Sequence, residues 1–129
     1  MSKHIGIDLG TANTLVYCKG KGVVLNEPSV VAVRVSNGAV LAVGEQAKRM
    51  LGKTPEEVAV IRPLSGGVIA DYDAAYAMLK IFLEKADPGG FLKPQITVCV
   101  PFGVTEVERR AVLEAVLRSG GKSARFIFL

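Results

Sequence analysis

The sequence predicts an α/β protein: one mixed sheet flanked by helices, with a small α/β segment inserted between its strands. Three observations carry this reading. The first third of the 129 residues is built from short β-branched runs separated by glycine turns, the pattern of an antiparallel meander. Two stretches, residues 71–86 and 105–119, repeat apolar residues at helical spacing. Residues 95–100 and 124–129 are nearly continuous apolar runs, as strands buried on both faces read. A meander followed by right-handed β-α-β crossovers gives a single mixed sheet.

The elements follow in order. Residues 4–9 and 14–19 are strand-like and are joined by Gly10-Thr-Ala-Asn13. Gly20-Lys-Gly22 is a second tight turn, followed by residues 23–25, Pro28 and a long β-branched run at 29–35. Asn37-Gly38 is a strong hairpin signal, with residues 39–43 as the returning strand. Residues 44–51 form a short helix candidate that Gly52 caps. Thr54-Pro-Glu-Glu57 resembles a capping box with proline at the first helical position. Residues 58–61 are another short apolar run, and Arg62-Pro-Leu-Ser-Gly-Gly67 breaks regular structure. The first long helix places Tyr72, Ala75, Tyr76, Leu79, Phe82 and Leu83 on one face. Thr105-Glu-Val-Glu108 is a capping box for the second, which offers Glu106/Arg110 and Glu114/Arg118 as i,i+4 pairs.

Composition excludes several function classes. Half of the residues are hydrophobic, only 6% are aromatic and none is Trp, so the core is aliphatic. The net charge of +4 is dispersed and no Lys/Arg block occurs, which argues against nucleic acid as a partner. No apolar run approaches the roughly 20 residues of a membrane span. Met1-Ser-Lys-His4 leads directly into a strand and leaves no room for a signal peptide, so a cytoplasmic location is expected. Cys18 and Cys99 lie in apolar stretches and are expected as small buried hydrophobes, not as a disulfide framework. A lone histidine, His4, supports neither a triad nor a His-rich metal site.

Chemistry concentrates in Asp8-Leu-Gly-Thr-Ala-Asn13. Gly10 permits a tight turn and a close approach of backbone to ligand. Successive N–H groups in such a turn form an anion-binding concavity, to which Thr11 and Asn13 add short polar side chains. Asp8, at the strand end, suits a hydrated Mg²⁺, which keeps several waters and uses few carboxylates. Spacing alone leaves two readings open, a structural hairpin and a phosphate cradle. No G-x-x-x-x-G-K-[ST] occurs, and Gly10 precedes a strand, not a helix, which excludes a P-loop and a Rossmann fingerprint.

Ile7-Asp-Leu-Gly-Thr-Ala-Asn-Thr14 resembles the first phosphate loop of the actin, sugar-kinase and heat-shock-chaperone ATPase superfamily. Gly20-Lys-Gly22, Leu25-Asn-Glu-Pro-Ser-Val30, Gly52-Lys-Thr-Pro55, Ile61-Arg-Pro-Leu64, Gly67-Val-Ile-Ala-Asp71 and Thr105-Glu-Val-Glu-Arg-Arg110 are similar to the bacterial actin-like MreB family in particular. The resemblance covers residues from about 5 to about 121. It implies an actin-like ATPase fold of the ribonuclease H-like type, in which residues 1–32 and 72–129 form subdomain IA and 33–71 the small subdomain IB, without the second domain. It further implies ATP phosphates at Gly10, Thr11, Ala12 and Asn13, and Mg²⁺ held through water by Asp8. The family polymerises on ATP into filaments on the inner face of the cell membrane, where it works with cell-wall synthesis and shape proteins. By position, Phe91 and Leu92 in Gly89-Gly-Phe-Leu-Lys93 resemble a loop that this family inserts into the bilayer.

The sequence also departs from the family. The second phosphate loop, Asp-x-Gly-Gly-Gly-Thr, does not occur, and residues 125–129 read Arg-Phe-Ile-Phe-Leu where the family carries Glu-Glu-Pro with its water-activating glutamate. Gly66 stands where an acidic residue is usual, and Phe102 where a small one is common. No catalytic residue is therefore assigned to this chain, and weak or absent ATP binding without hydrolysis is expected of it alone. Two other readings compete: a non-catalytic module that co-assembles with full-length filaments, and half of a sugar- or acetate-kinase-type ATPase, against which Leu25-Asn-Glu-Pro-Ser29 argues.

Overall fold

Alternation decides the first strand. In β1 (His4–Leu9) the side chains of Ile5, Ile7 and Leu9 are buried, while Asp8, one step out of phase, is exposed. The computed structural model describes residues 4–50, 56–66, 68–87, 94–100, 105–120 and 123–128. After β1 come β2 (Asn13–Cys18) and β3 (Gly22–Pro28), each antiparallel to its predecessor. The next segment holds β4 (Val31–Arg34), β5 (Val40–Val43), α1 (Gly44–Lys48) and β6 (Val58–Ile61). A two-residue ribbon, β7 (Leu64–Ser65) and β8 (Val68–Ile69), leads to α2 (Tyr72–Ala86). Then follow β9 (Gln95–Val100), α3 (Glu106–Arg118) and β10 (Ser123–Phe128).

The main sheet has the order β10-β9-β1-β2-β3. Its β10/β9 and β9/β1 pairs are parallel and the meander side is antiparallel, so the expected mixed sheet is present. Both long helices cover the same face. Met78, Leu79 and Phe82 of α2 and Val112, Ala115 and Val116 of α3 close over Ile5, Ile7, Val16, Ile96 and Val98. The two helix starts are capped from the sequence. Asp71 Oδ1 accepts the Ala74 N–H at 3.0 Å, and Thr105 Oγ1 accepts the Glu108 N–H at 3.2 Å.

The insert is a second, antiparallel sheet, β5-β4-β6. Its small core is Val30, Ala32 and Ala47. The expected run at 29–35 is shorter, because residues 29–30 cross between the two sheets before β4 begins at Val31. The boundary placed between residues 32 and 33 thus falls inside β4. The Asn37-Gly38 turn forms as expected. Gly38 takes φ +70°, and Asn37 Oδ1 accepts the Ala39 N–H at 3.0 Å. Residues 62–67, expected to be irregular, include β7, and Gly66 directly after it takes φ +59°. The Gly52 cap and the capping box at Thr54 lie outside the described residues.

One carboxylate joins the layers. Glu27 of β3 accepts the Glu45 N–H at the start of α1 at 3.0 Å, and its other oxygen lies 3.1 Å from Lys85 Nζ on α2. Gly44 precedes that amide with φ +64°, where a Cβ would collide with the Glu27 carboxylate. Truncating Glu27→Ala is expected to lower stability by about 1–2 kcal/mol, since the N–H at the start of α1 loses its charged acceptor. Lys85→Ala is expected to cost less than about 1 kcal/mol, because the pair is partly solvated. Urea denaturation of both variants checks the ranking, and equal losses would contradict it.

Candidate functional site

The turn between β1 and β2 is tight because Gly10 N–H donates to Asn13 O at 3.0 Å. An alanine Cβ at residue 10 would sit 2.5 Å from that same oxygen, so the bond needs glycine. The carbonyls of the turn are all held by the scaffold. Gly10 O accepts from Ser29 Oγ at 2.7 Å, and Ala12 O accepts from Ser29 N–H at 2.8 Å. Thr11 O faces Arg62 Nη1 at 3.5 Å. The Thr11 hydroxyl oxygen accepts the Gly66 N–H at 2.9 Å, and Asn13 Nδ2 donates to Asn26 Oδ1 at 3.1 Å. By contrast, the N–H groups of Thr11 and Ala12 have no hydrogen-bond partner among the described residues. In a planar trans peptide the N–H points opposite to the preceding C=O. Carbonyls tied inward therefore leave donors facing out, which is the arrangement that receives an anion.

The expected site residues fall at one end of the main sheet. Gly10 is half-buried, while Asp8, Thr11, Ala12 and Asn13 are exposed. Asp8 lies on the sheet face opposite the helices, beside Cys99 in the parallel β1/β9 register. This explains why Cys99 is half-buried and not fully buried as expected: it shares the open face with Asp8. Burial, and then the Asp8 carboxylate, push its thiol above the ordinary range. Cys18, at the end of β2, is also half-buried, packed against the margin of the main core. Among the described residues no cluster of three or more His, Cys, Asp or Glu is placed to hold a metal. One exposed carboxylate next to outward amides suits a cation that keeps its water and arrives with a phosphate ligand.

Four residues quoted in sequence motifs were given no role of their own in the site: Thr14, Ser29, Arg62 and Gly66. Ser29 and Thr14 are both fully buried, and their hydroxyls meet at 2.7 Å. The signal for Ser29 was a polar residue entering a β-branched run, which periodicity alone cannot separate from a strand start. Elsewhere, Arg110 pairs with Glu106 at 3.9 Å as expected, whereas Arg118 turns from Glu114 to lie over the rings of Tyr76 and Tyr72. Phe91 and Leu92 lie outside the described residues. No helix among the described residues is long and apolar enough to cross a membrane.

Comparison with known proteins agrees with this architecture. The family model for MreB/Mbl protein matches residues 2–128. The cell shape-determining protein Mbl of Bacillus cereus is 55% identical over 123 residues, which are 95% of this chain and 37% of that protein. The cell shape-determining protein MreB of Escherichia coli is 49% identical over 99% of this chain and 38% of its own length. The crystal structure of MreB5 of Spiroplasma citri bound to ADP superposes with a TM-score of 0.89 at 35% identity, covering 99% of this chain and 38% of that one. The chain therefore spans less than two fifths of the relatives it matches, and its mixed sheet with a small insert is the actin-like fold seen there. With nearly every residue matched by the family model, this chain belongs to the MreB/Mbl family.

Proposed function

We propose that the chain forms one wall of the nucleotide site of an actin-like, cell shape-determining filament protein, with the turn at residues 10–13 cradling ATP phosphates. The observation that carries this is the turn itself, whose carbonyls are tied inward while the Thr11 and Ala12 N–H groups face out. The ADP bound to a structural neighbour of the same fold supports it. Asp8 would hold Mg²⁺ through water, and the ion would offset the charge of the phosphates. The Thr11 and Ala12 amides bind and orient the phosphate chain, and Gly10 lets them approach it. Hydrolysis is assigned to no residue here, because the sequence contains neither the second phosphate loop nor the water-activating glutamate segment.

Titrating ¹⁵N-labelled chain with Mg-ATP tests the assignment. Amide shifts confined to residues 8–13 are expected, and shifts spread over α3 or the β5 edge with none in the turn would refute it. The family relation also supports self-association into filaments at the cytoplasmic face of the membrane, near cell-wall synthesis and shape proteins, with Phe91 and Leu92 as the membrane contact. Vesicle co-sedimentation checks that contact. Binding is expected to fall when both residues become serine, and unchanged binding would remove it.

A further inference from the structure

The donors of the turn are aimed by a residue outside it. Ser29 lies after β3, where the chain crosses from the main sheet into the insert. It is completely buried and makes both of its polar groups count. Its hydroxyl donates to Gly10 O at 2.7 Å and its N–H donates to Ala12 O at 2.8 Å. A hydroxyl has one proton to give. Since the Ser29 proton goes to Gly10 O, the 2.7 Å contact with Thr14 Oγ1 must run from Thr14 to Ser29. The result is a directed relay, Thr14 O–H to Ser29 O–H to Gly10 C=O, with both hydroxyl residues fully buried.

The peptide that carries Gly10 O also carries the Thr11 N–H, and the one that carries Ala12 O also carries the Asn13 N–H. No cis peptide bond occurs among the described residues, the turn included. Fixing each oxygen inward fixes each hydrogen outward. Ser29 thus governs two of the three peptides of the turn. The third depends on Arg62, whose 3.5 Å contact is exposed and long.

We infer that Ser29, with Thr14 behind it, is a positioning residue for phosphate recognition: it never touches the ligand but sets the direction of the Thr11 amide that does. The inference rests on the nucleotide reading above and adds a residue to it that lies outside the phosphate-loop motif. Without the hydroxyl, the Gly10–Thr11 peptide is free to turn its carbonyl outward. An outward carbonyl repels a phosphate oxygen where an N–H had attracted it.

The test uses the whole 129-residue chain as Ser29→Ala, Thr14→Val and Thr14→Ser, with tripolyphosphate as the probe. Residual dipolar couplings of the ligand-free proteins read the direction of the Thr11 N–H. In Ser29→Ala this vector is expected to turn while the vectors of β1 and β2 stay fixed, and tripolyphosphate affinity is expected to fall about five- to tenfold. Thr14→Val shifts both readouts the same way by less, and Thr14→Ser, which keeps the hydroxyl, restores them. If Ser29→Ala does not fold, the Thr14 pair decides. An unchanged Thr11 vector in the hydroxyl-deleted variants overturns the inference, and so does a turned vector with unchanged affinity. A wild-type chain that shows no tripolyphosphate shifts at all overturns the nucleotide reading instead, which the couplings, measured without ligand, keep separate.

Discussion

Replacing Phe82 with alanine is expected to lower the stability of the chain by about 3–5 kcal/mol. Its ring is fully buried in α2 and is among the largest side chains of the core. It packs with Met78 and Leu79 against the main sheet, in the same cluster as Val31 and Val43 of the smaller one. It also reaches Gly44 at the start of α1, where an added Cβ would lie 3.0 Å from its Cε1. One cavity would thus loosen three elements at once, and the rigid backbone around Gly44 and Glu27 leaves little room to collapse into it. A domain is stable by only about 5–15 kcal/mol, so the loss consumes a large share. Guanidinium denaturation monitored by far-UV circular dichroism measures it. Val107→Ala on α3, 79% exposed, is the control and should change stability by less than about 0.5 kcal/mol. A Phe82→Ala cost below about 1.5 kcal/mol would show that this junction is not tightly packed.

Gly10→Ala is expected to abolish phosphate binding at the turn while leaving the sheets intact. The new methyl would stand 2.5 Å from Asn13 O and 3.6 Å from its carbonyl carbon, and both are backbone atoms that no rotamer change can move aside. The Gly10 N–H···O Asn13 bond would open, and the Thr11 and Ala12 amides would lose their common direction. Gly20→Ala is the matched control. Its backbone is left-handed, with φ +89°, but nothing lies within 4 Å of the added carbon. It should cost about 1–2 kcal/mol in strain and leave binding untouched. Tripolyphosphate titration followed by amide shifts separates the two. Equal binding by Gly10→Ala and wild type would mean that the turn is not the cradle.

Local chemistry made much of this fold legible in the sequence. Isoleucines alternate along β1, Thr105 and Asp71 announce their helices, and the run Ile96-Thr-Val98 reads as the central parallel strand it is. Each of these signals is complete within a few residues. The features that escaped depend on partners far along the chain. Ser29 meets Gly10 across 19 residues, Gly66 meets Thr11 across 55, and Glu27 meets Lys85 across 58. The residues flanking β7 are tied to the turn in the same way, Arg62 to Thr11 O and Gly66 to the Thr11 hydroxyl. Arg118 follows this rule too. Its i,i+4 acid was visible in the sequence, but the two tyrosines of α2 that outcompete it come alongside only after the helices pack. The candidate turn itself was legible as a glycine hairpin, whereas the direction of its amides was not, since that is set by Ser29 and Arg62.

On the proposed reading, these 129 residues present one wall of a phosphate site, competent in geometry but short of contacts. Immobilising a ligand costs at least about 4 kcal/mol, which a few amides and one water-mediated cation offset only in part. Calorimetric titration of the chain with Mg-ATP addresses this most directly. A dissociation constant weaker than about 1 mM, with no binding left in Gly10→Ala, is the predicted result. Micromolar affinity for Mg-ATP would contradict it, because a single wall would then suffice.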